Sequence, residues 1–364
     1  MEKVKLIEIC NPKQWKTLAT GELMNEGEYP VYGANGIIGY YDRYNHEKET
    51  VLITCRGATC GNIHISKEKS YINGNAMALD NLREDVCLKK YLFYFLKQYD
   101  MKKIITGSAQ PQITVQGLKK IEIKLHDLKK QKAVIEELDN VQEIIDIRKK
   151  QIEKLDELIK SQFVEMFGNI YENKKNYLIN ELDYYTSMIT YGLTVRPKFI
   201  EKGIDLISAR EINTGVIDYD KAPKISEDDY NNLSEKAKPK KNDILFSKTG
   251  TIGLCTIVED EKKFVITQNA ARIVPKDNIN PIWLLYYLRT DEIQHYCKRQ
   301  SKGNAVKDFQ IQDMKKIPIL DCPITLQNEF VGKVKQIDKQ KFEVQKSLEE
   351  IQKLQESLMN KYFG

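Results

Sequence analysis

The sequence lacks the segments that hold proteins in membranes. Within its 364 residues, the longest apolar runs are as short as YLFYFL at positions 91–96, whereas a helix that crosses a bilayer needs about 20 apolar residues. The first ten residues, MEKVKLIEIC, have no apolar core of the kind that signal peptides contain. We therefore expect a cytoplasmic protein without a membrane partner.

Paired cysteines and clustered histidines are also missing. The seven cysteines form no Cys-x-x-Cys pair, and the four histidines are scattered, so the spacing typical of a structural zinc site does not occur. In a chain without a secretion signal, such cysteines are expected to stay reduced. The sequence thus predicts neither a disulfide framework nor a metal site.

The familiar catalytic motifs do not occur either. There is no Walker phosphate loop, dinucleotide-binding glycine motif, His-Glu-x-x-His or Gly-x-Ser-x-Gly. The glycine-rich stretches GANGIIGYY at 33–41 and TGTIG at 249–253 have the wrong spacing and fit tight turns better. We expect no enzyme. The net charge of +5 allows nucleic-acid binding without demanding it.

What the sequence does contain is a long internal repeat. TGSAQPQITVQGLKKIEI at 106–123 returns loosely as KGNAVKDFQIQDMKKIPI at 302–319, an offset of 196 residues. The same offset carries Phe167-Gly168 onto Phe363-Gly364, so the two copies keep equal length from the repeated phrase to the end of each copy. The chain therefore consists of two copies of one plan.

Each repeated phrase is followed by a helix with apolar residues spaced alternately by three and four, which is a heptad pattern. The predicted seam positions are Leu138, Val141, Ile145, Ile152 and Leu155 in the first helix, and Val334, Ile337, Val344, Leu348 and Ile351 in the second. The pattern favours an antiparallel coiled coil between the two helices, because helices of this length extend beyond a domain of ~120 residues. The alternative is that each seam packs on its own globular domain.

The segments before the helices are rich in short β-type runs and turn residues, such as TVLITCRG at 50–57 and FVITQNAARIV at 264–274. Each ends with an amphipathic helix just before the repeated phrase. We predict an α+β fold with a pseudo-twofold repeat. Its parts are a globular domain at 1–125, a helix at 126–168, a second globular domain at 169–320 and a second helix at 321–364.

Polar loops in matched positions of the two globular domains are candidates for contact with DNA. Amides and cations can pair with base edges, and hydroxyls hold phosphates. The candidate DNA-binding residues are Arg43, Arg56, Ser108, Gln110, Gln112, Lys248, Thr249, Lys302, Asn304 and Lys307. Taken singly, each could be an ordinary solvated loop residue. Their occurrence in matched pairs favours a binding role.

Two diverged globular halves, each closed by the repeated phrase, a glutamine (Gln131 or Gln327), a long helix and a terminal Phe-Gly, resemble the specificity subunit of Type I restriction-modification enzymes. The resemblance covers essentially the whole chain. One departure is KLHDLKKQ at 124–131, which lacks the proline found in LDCPITLQ at 320–327.

The resemblance implies two target-recognition domains that read the two parts of a split sequence in double-stranded DNA, with the helices as an antiparallel spacer. It also implies a non-catalytic chain that binds no cofactor and docks two modification subunits, which bind S-adenosylmethionine, and in the complete complex restriction subunits. The alternatives are a non-catalytic coiled-coil adaptor or scaffold without DNA sequence specificity and, more remotely, an unrecognised nuclease or methyltransferase.

Overall fold

The computed structural model describes residues 2–34, 36–107, 110–195, 197–212, 215–303 and 306–364. By its internal contacts the chain forms two compact units. The first consists of Met1–Lys150 with Val344–Gly364, and the second of Gln151–Glu343. Each unit holds one globular domain together with part of each long helix.

The globular part of the first unit is built from short strands and helices. Its strands are β1 Glu2–Lys5, β2 Asn11–Gln14, β3 Tyr29–Gly33, β4 Gly36–Tyr41, β5 Val51–Thr54, β6 Ile63–Ile65, β7 Tyr71–Ile72, β8 Ala76–Asp80 and β9 Glu122–Leu125. Its helices are α1 Leu6–Ile9, α2 Lys89–Gln98 and α3 Val115–Leu118, followed by the long helix α4 Leu128–Phe167.

These strands form three sheets. The four-stranded sheet has the order β2-β8-β5-β6 and is antiparallel throughout. A second sheet has the order β4-β3-β7, in which β3 and β7 run parallel, and β1 pairs with β9. All four residues of β5 are buried, as expected for a central strand made of Val, Leu, Ile and Thr.

The globular part of the second unit repeats this plan. Its strands are β10 Ile179–Glu181, β11 Thr186–Tyr191, β12 Ile204–Ile207, β13 Lys224–Ile225, β14 Ile244–Ser247, β15 Cys255–Ile257, β16 Phe264–Ile266, β17 Ala270–Pro275 and β18 Pro318–Leu320. Its helices are α5 Glu227–Asn232, α6 Pro281–Leu288, α7 Asp291–Gln300 and α8 Ile311–Lys315, followed by α9 Ile324–Phe363.

The sheets of the second unit match those of the first one by one. The order β11-β17-β14-β15 is antiparallel and four-stranded, β13-β12-β16 contains one parallel pair, and β10 pairs with β18. The two copies predicted from the sequence are therefore also two copies in fold, in an α+β architecture.

In each unit the long helices run antiparallel. In the first unit, the Gln355 side chain donates to Gln142 at 3.0 Å, and the Tyr362 hydroxyl donates to Glu137 at 2.5 Å. In the second, Lys341 pairs with Asp156 at 2.6 Å, and Lys333 donates to Gln162 at 3.2 Å. In both units, residues further along α4 contact residues that lie earlier in α9, as antiparallel helices do. Lys341 and Gln355, which interrupt the apolar seam, thus find polar partners.

The apolar seam positions lie away from water. Seven are buried: Leu138, Val141, Ile145, Val334, Ile337, Val344 and Leu348. Ile152, Leu155 and Ile351 are partly buried. Val334 and Ile337 also belong to the core of the second globular part, with Trp283 and Phe330. In the second unit the seam therefore packs on the globular domain as well as along the partner helix.

A buried glutamine ties the start of each long helix to the amphipathic helix before it. The side-chain oxygen Oε1 of Gln131 accepts the backbone N–H of Leu88 at 2.9 Å, and Oε1 of the matched Gln327 accepts that of Asn280 at 2.8 Å. Both amide nitrogens donate to the carbonyl five residues earlier in the chain. The glutamines noted in the sequence thus fix the same joint in both copies.

The predicted helix segments at 126–168 and 321–364 enclose α4 and α9. The four-part division itself stays a prediction, because each compact unit takes part of both helices. Among the described ranges, no helix combines the length and the apolar composition needed to cross a bilayer.

Candidate nucleic-acid interface

Two loops of the first globular domain are joined by backbone hydrogen bonds. Thr106 and Gln112 exchange both N–H to carbonyl bonds at 2.9 Å, which closes the repeated phrase into a small loop. The next residue, Ile113, donates to the Cys55 carbonyl at 3.0 Å, and Arg56 forms a β-bridge with Gln112. Buried Ile113 anchors the loop, so residues 55–57, 106–107 and 110–112 form one surface, the first loop pair.

The second domain has the same arrangement. Lys302 and Asp308 exchange hydrogen bonds at 2.9 and 2.8 Å, and buried Phe309 donates to the Lys248 carbonyl at 2.7 Å. Thr249 forms the bridge with Asp308. Residues 248–250, 302–303 and 306–308 are therefore the second loop pair. In this register Arg56 corresponds to Thr249, and Cys55 corresponds to Lys248.

Glycine is required at the turn of each loop. Gly107 has φ of +84° and Gly303 has φ of +108°, a region that side chains disfavour. A Cβ on either residue would lie 2.5 Å from the Gln110 carbonyl oxygen or 2.3 Å from that of Val306. The repeated glycine is thus a requirement of backbone geometry.

The side chains on this common backbone differ between the domains. The first loop pair presents Arg56, Thr106, Gln110 and Gln112, all exposed. The corresponding residues of the second are Thr249, Lys302, Val306 and Asp308. Both sets offer a cation and a hydroxyl; the first adds two amides, whereas the second adds an exposed valine and a carboxylate. Two surfaces so similar in backbone and so different in side chains would select different ligands.

Asp308 organises the second loop pair. Its carboxylate pairs with Lys248 at 2.5 Å and accepts the Thr249 hydroxyl at 2.7 Å and the Gln310 amide. Burial alone would raise the pKa of Asp308, but the hydrogen bonds from Lys248 and Thr249 and the lysine charge outweigh it and hold that pKa below its ordinary value. Lys248, with 8% of its surface exposed, is therefore committed to an internal ion pair.

The remaining predicted residues lie in different settings. Lys302 and Lys307 are exposed on the second loop pair, and Lys302 lies 3.7 Å from Asp313. Arg43 follows β4 in another sheet and is exposed beside Asp42. Ser108 and Asn304 lie outside the described residues. The DNA-binding role of all these residues remains a prediction.

A cleft of about 740 Å³ adjoins the second loop pair and contains polar residues that the sequence did not single out. Thr249, Gly250 and Val306 form one wall, and Arg210 and Gln268 lie elsewhere in the lining. Arg210 and Gln268 are exposed. The only sequence signal was the echo of Asn75-Ala76 in Asn269-Ala270, immediately after Gln268. This cleft enlarges the polar surface of the second domain.

No group of three or more His, Cys, Asp or Glu suited to a metal occurs in the part of the chain that the structure describes. The cysteines are free, and burial raises the pKa of Cys87 and Cys297 to about 12. Such thiols stay protonated at neutral pH and are poor nucleophiles.

A family model described as the Type I restriction modification DNA specificity domain matches residues 1–157 and again 198–356. The chain belongs to this family. Both copies of the repeat are matched, so it contains the domain twice, once for each loop pair. The predicted resemblance to Type I specificity subunits, with two target-recognition domains in an α+β fold, is confirmed.

Relatives and solved structures agree with this membership. The Type I restriction enzyme EcoBI specificity subunit of Escherichia coli is 26% identical over 316 residues, which is 78% of this chain and 66% of that subunit. The chain thus spans slightly less than two thirds of that relative. A putative Type I specificity subunit of Haemophilus influenzae is 26% identical over 322 residues, 84% of this chain and 79% of its own length.

A crystal structure of the Type I restriction-modification system S subunit from M. genitalium has the same fold. It superposes with a TM-score of 0.60 at 16% identity and covers 100% of this chain and 96% of the other. At that identity the likeness concerns the fold alone.

Proposed function

We propose that this chain reads a bipartite sequence in double-stranded DNA within a Type I restriction-modification complex. Each globular domain contacts one part of the target through its loop pair, and the two long helices act as the spacer between the two readers. Family membership supports the general role, since the specificity domain is matched twice.

The observation that carries the proposal is the pair of loop surfaces. Both have the same backbone hydrogen bonds, yet Arg56 and Gln112 in one domain correspond to Thr249 and Asp308 in the other. Base pairs differ in the donors and acceptors that they present in the major groove, so distinct side chains on one frame suit two different half-sites. A scaffold protein would not require this combination.

The duplicated joint supports docking of two modification subunits. Gln131 and Gln327 form matching hydrogen bonds at the starts of α4 and α9, and each helix ends in Phe-Gly. These hydrogen bonds are internal, but they give both copies the same local backbone geometry, and a structure that occurs twice can bind two copies of one partner.

The chain itself acts without catalysis and without a cofactor in this proposal. The modification subunits bind S-adenosylmethionine and methylate the DNA, and restriction subunits join in the complete complex. Since the substrate is cellular DNA, the chain works in the cytoplasm.

The test is to co-express the chain with its cognate modification subunit and to map methylated bases across the host DNA by single-molecule sequencing. A split motif with a constant unread gap is expected. Exchanging the first globular domain for that of another specificity subunit should change one half of the motif and leave the other unchanged. A stable complex that methylates no defined motif would contradict the proposal.

The salt dependence of binding distinguishes the proposed function from the alternative adaptor function. Sequence-specific binding to a DNA duplex should fall steeply as salt increases, because lysine and arginine contacts release counterions from the phosphates. An adaptor would bind its protein partners with little dependence on salt and would not distinguish the target duplex from a scrambled one.

A further inference from the structure

A short turn links two sheets in each domain, residues 73–75 between β7 and β8 and residues 267–269 between β16 and β17. In both turns the first residue donates its N–H to the neighbouring parallel strand, β3 or β12, at 2.9 Å. The carbonyl of the last residue accepts an N–H from the loop pair, that of Cys55 at 3.0 Å or that of Lys248 at 3.1 Å. Each sheet-linking turn is therefore held against the loop pair of its own domain.

The middle residue of the sheet-linking turn differs between the domains. In the first it is Gly74, which is buried, and a Cβ there would lie 2.4 Å from the Thr17 hydroxyl oxygen and 2.7 Å from the Trp15 carbonyl oxygen. In the second it is Gln268, which is exposed and whose backbone N–H donates to the Leu193 carbonyl at 2.8 Å. The first domain thus has no room for a side chain at a position where the second presents one.

Gln268 lines two clefts beside the second loop pair, of about 740 and 350 Å³. Thr249 of the loop pair lines both of them, and Asp308 lines the smaller one. Neither the oxygen nor the nitrogen of the Gln268 carboxamide has a hydrogen-bond partner among the described residues. A donor and an acceptor are therefore available to a ligand that lies on the second loop pair.

The larger cleft also contains a cation without a carboxylate partner. Its described basic lining residues are Arg210 and Lys221. Lys221 pairs with Asp218 at 2.7 Å, and the Glu211 carboxylate accepts the N–H and the hydroxyl of Ser208 at 2.7 and 2.6 Å. Within the described ranges, no carboxylate lies within 4 Å of the Arg210 guanidinium. A guanidinium in this state suits a phosphate.

We propose that Gln268 is a specificity-determining residue of the second domain, which reads an adenine of its half-site while Arg210 holds a phosphate of the same duplex. A carboxamide can donate to adenine N7 and accept from the adenine amino group, which is how glutamine pairs with adenine in the major groove. The first domain has no equivalent reader, since Gly74 cannot carry a side chain. The inference rests on the proposed function, which supplies the DNA.

Methylation mapping of the full chain in complex with the cognate modification subunit gives the direct test. Gln268→Ala should make one position degenerate, in the half of the motif that stays unchanged when the first globular domain is exchanged. The unaltered chain should select an A·T pair there, and the loss of two hydrogen bonds should reduce this selection about tenfold. If Gln268→Ala lowered methylation equally at all sites, or relaxed a position held by a G·C pair, the assignment would be overturned.

Gln268→Glu separates base reading from a structural role of the same side chain. It keeps the size of the side chain but replaces the amide donor with an oxygen that cannot donate to adenine N7. Selection of the A·T pair over the other pairs at that position should fall at least as far as in Gln268→Ala. Unchanged selection would contradict the proposal. The matched control is Gln312→Ala, which removes an exposed glutamine of the same domain that lines neither cleft and should leave every position selected.

Arg210→Ala should have a different effect, because a phosphate contact carries no sequence information. Binding of the complex to the target duplex and to a scrambled duplex should weaken alike, about fivefold, and the salt slope should fall by about one ion. The methylated motif should stay the same. An unchanged salt slope, or a changed motif, would show that Arg210 does not hold a phosphate.

The unaltered chain separates the two possible failures. If it forms a complex that methylates no split motif, the proposed function fails. If the split motif forms and Gln268→Ala keeps every position selected, the inference about Gln268 alone is wrong.

Discussion

The two loop pairs share a backbone and differ in what stabilises them. In the first domain, Gln112 is bonded through its main chain to Thr106, and its side chain is exposed. In the second, Asp308 makes the same main-chain bonds and also holds buried Lys248. One loop depends on backbone hydrogen bonds and an aliphatic anchor, while the other adds an internal ion pair. The same loop backbone can therefore present different side chains. In the second domain, however, the loop also depends on the ion pair between Asp308 and Lys248.

Removal of Asp308 should have the largest effect. Asp308→Ala leaves the Lys248 ammonium buried without its carboxylate, and broken buried pairs cost about 3 kcal/mol. The expected result is a loss of that size in the opening free energy of the Phe309 amide, measured by hydrogen exchange.

The matched variant is Gln112→Ala in the first domain. It removes an exposed side chain and should change the opening free energy of the Ile113 amide by less than about 0.5 kcal/mol. The double variant Lys248→Met with Asp308→Leu should recover part of the loss. If Asp308→Ala and Gln112→Ala lowered the opening free energies of their amides equally, the two loops would not differ in what stabilises them.

This contrast also shows which parts of the fold and of the candidate site could be predicted from the sequence. The heptad spacing of Leu138 and Val141 and the repeated phrase predicted the long helices and the duplication, because those signals lie within short windows. The partnership of Lys248 with Asp308 spans 60 residues, and no local pattern encodes it. The sequence placed Lys248 among the DNA-binding candidates without showing its ion pair with Asp308; its role toward DNA stays a prediction.

The cleft of the second domain was missed for a related reason. Gln268 lies there because Leu193 forms a parallel bridge with Thr267 and accepts the Gln268 N–H at 2.8 Å. Residues from distant parts of the chain meet only after the sheets have formed. The repeat could locate the loop pairs, but not the neighbours that the second domain places beside them.

The shared backbone can be tested at the two glycines. Gly107→Ala and Gly303→Ala each place a Cβ against a carbonyl oxygen in a positive-φ turn, which should destabilise each loop by about 2 kcal/mol. Methylation mapping should show one degraded half-site for each variant, and a different half for each. Gly21→Ala, with open space around the added Cβ, should leave the motif intact.

The differing side chains can be tested at one matched position. Arg56 is exposed, whereas the corresponding Thr249 donates its hydroxyl to Asp308. Arg56→Ala should weaken binding to the target duplex by about 1 kcal/mol and reduce the salt slope by about one ion. Thr249→Ala should leave the salt slope unchanged. The control is Arg83→Ala, which removes an exposed arginine paired with Asp85. If Arg83→Ala weakened DNA binding as much as Arg56→Ala, Arg56 would make no specific contact with the duplex.

Acid should open the second loop pair in preference to the first. The pKa of Asp308 lies below its ordinary value of 3.8 in the folded chain, so its ion pair contributes fully above that value and is lost as the pH falls through the lowered pKa. Gln112 has no such titration. The protection of the Phe309 amide relative to the matched Ile113 amide should be constant from neutral pH to about pH 5, begin to decrease as the pH approaches 3.8, and decrease further below it. A parallel decrease at both amides would indicate general acid unfolding instead, and the Asp308→Ala chain, which lacks the carboxylate, should show no change in the ratio over the same range.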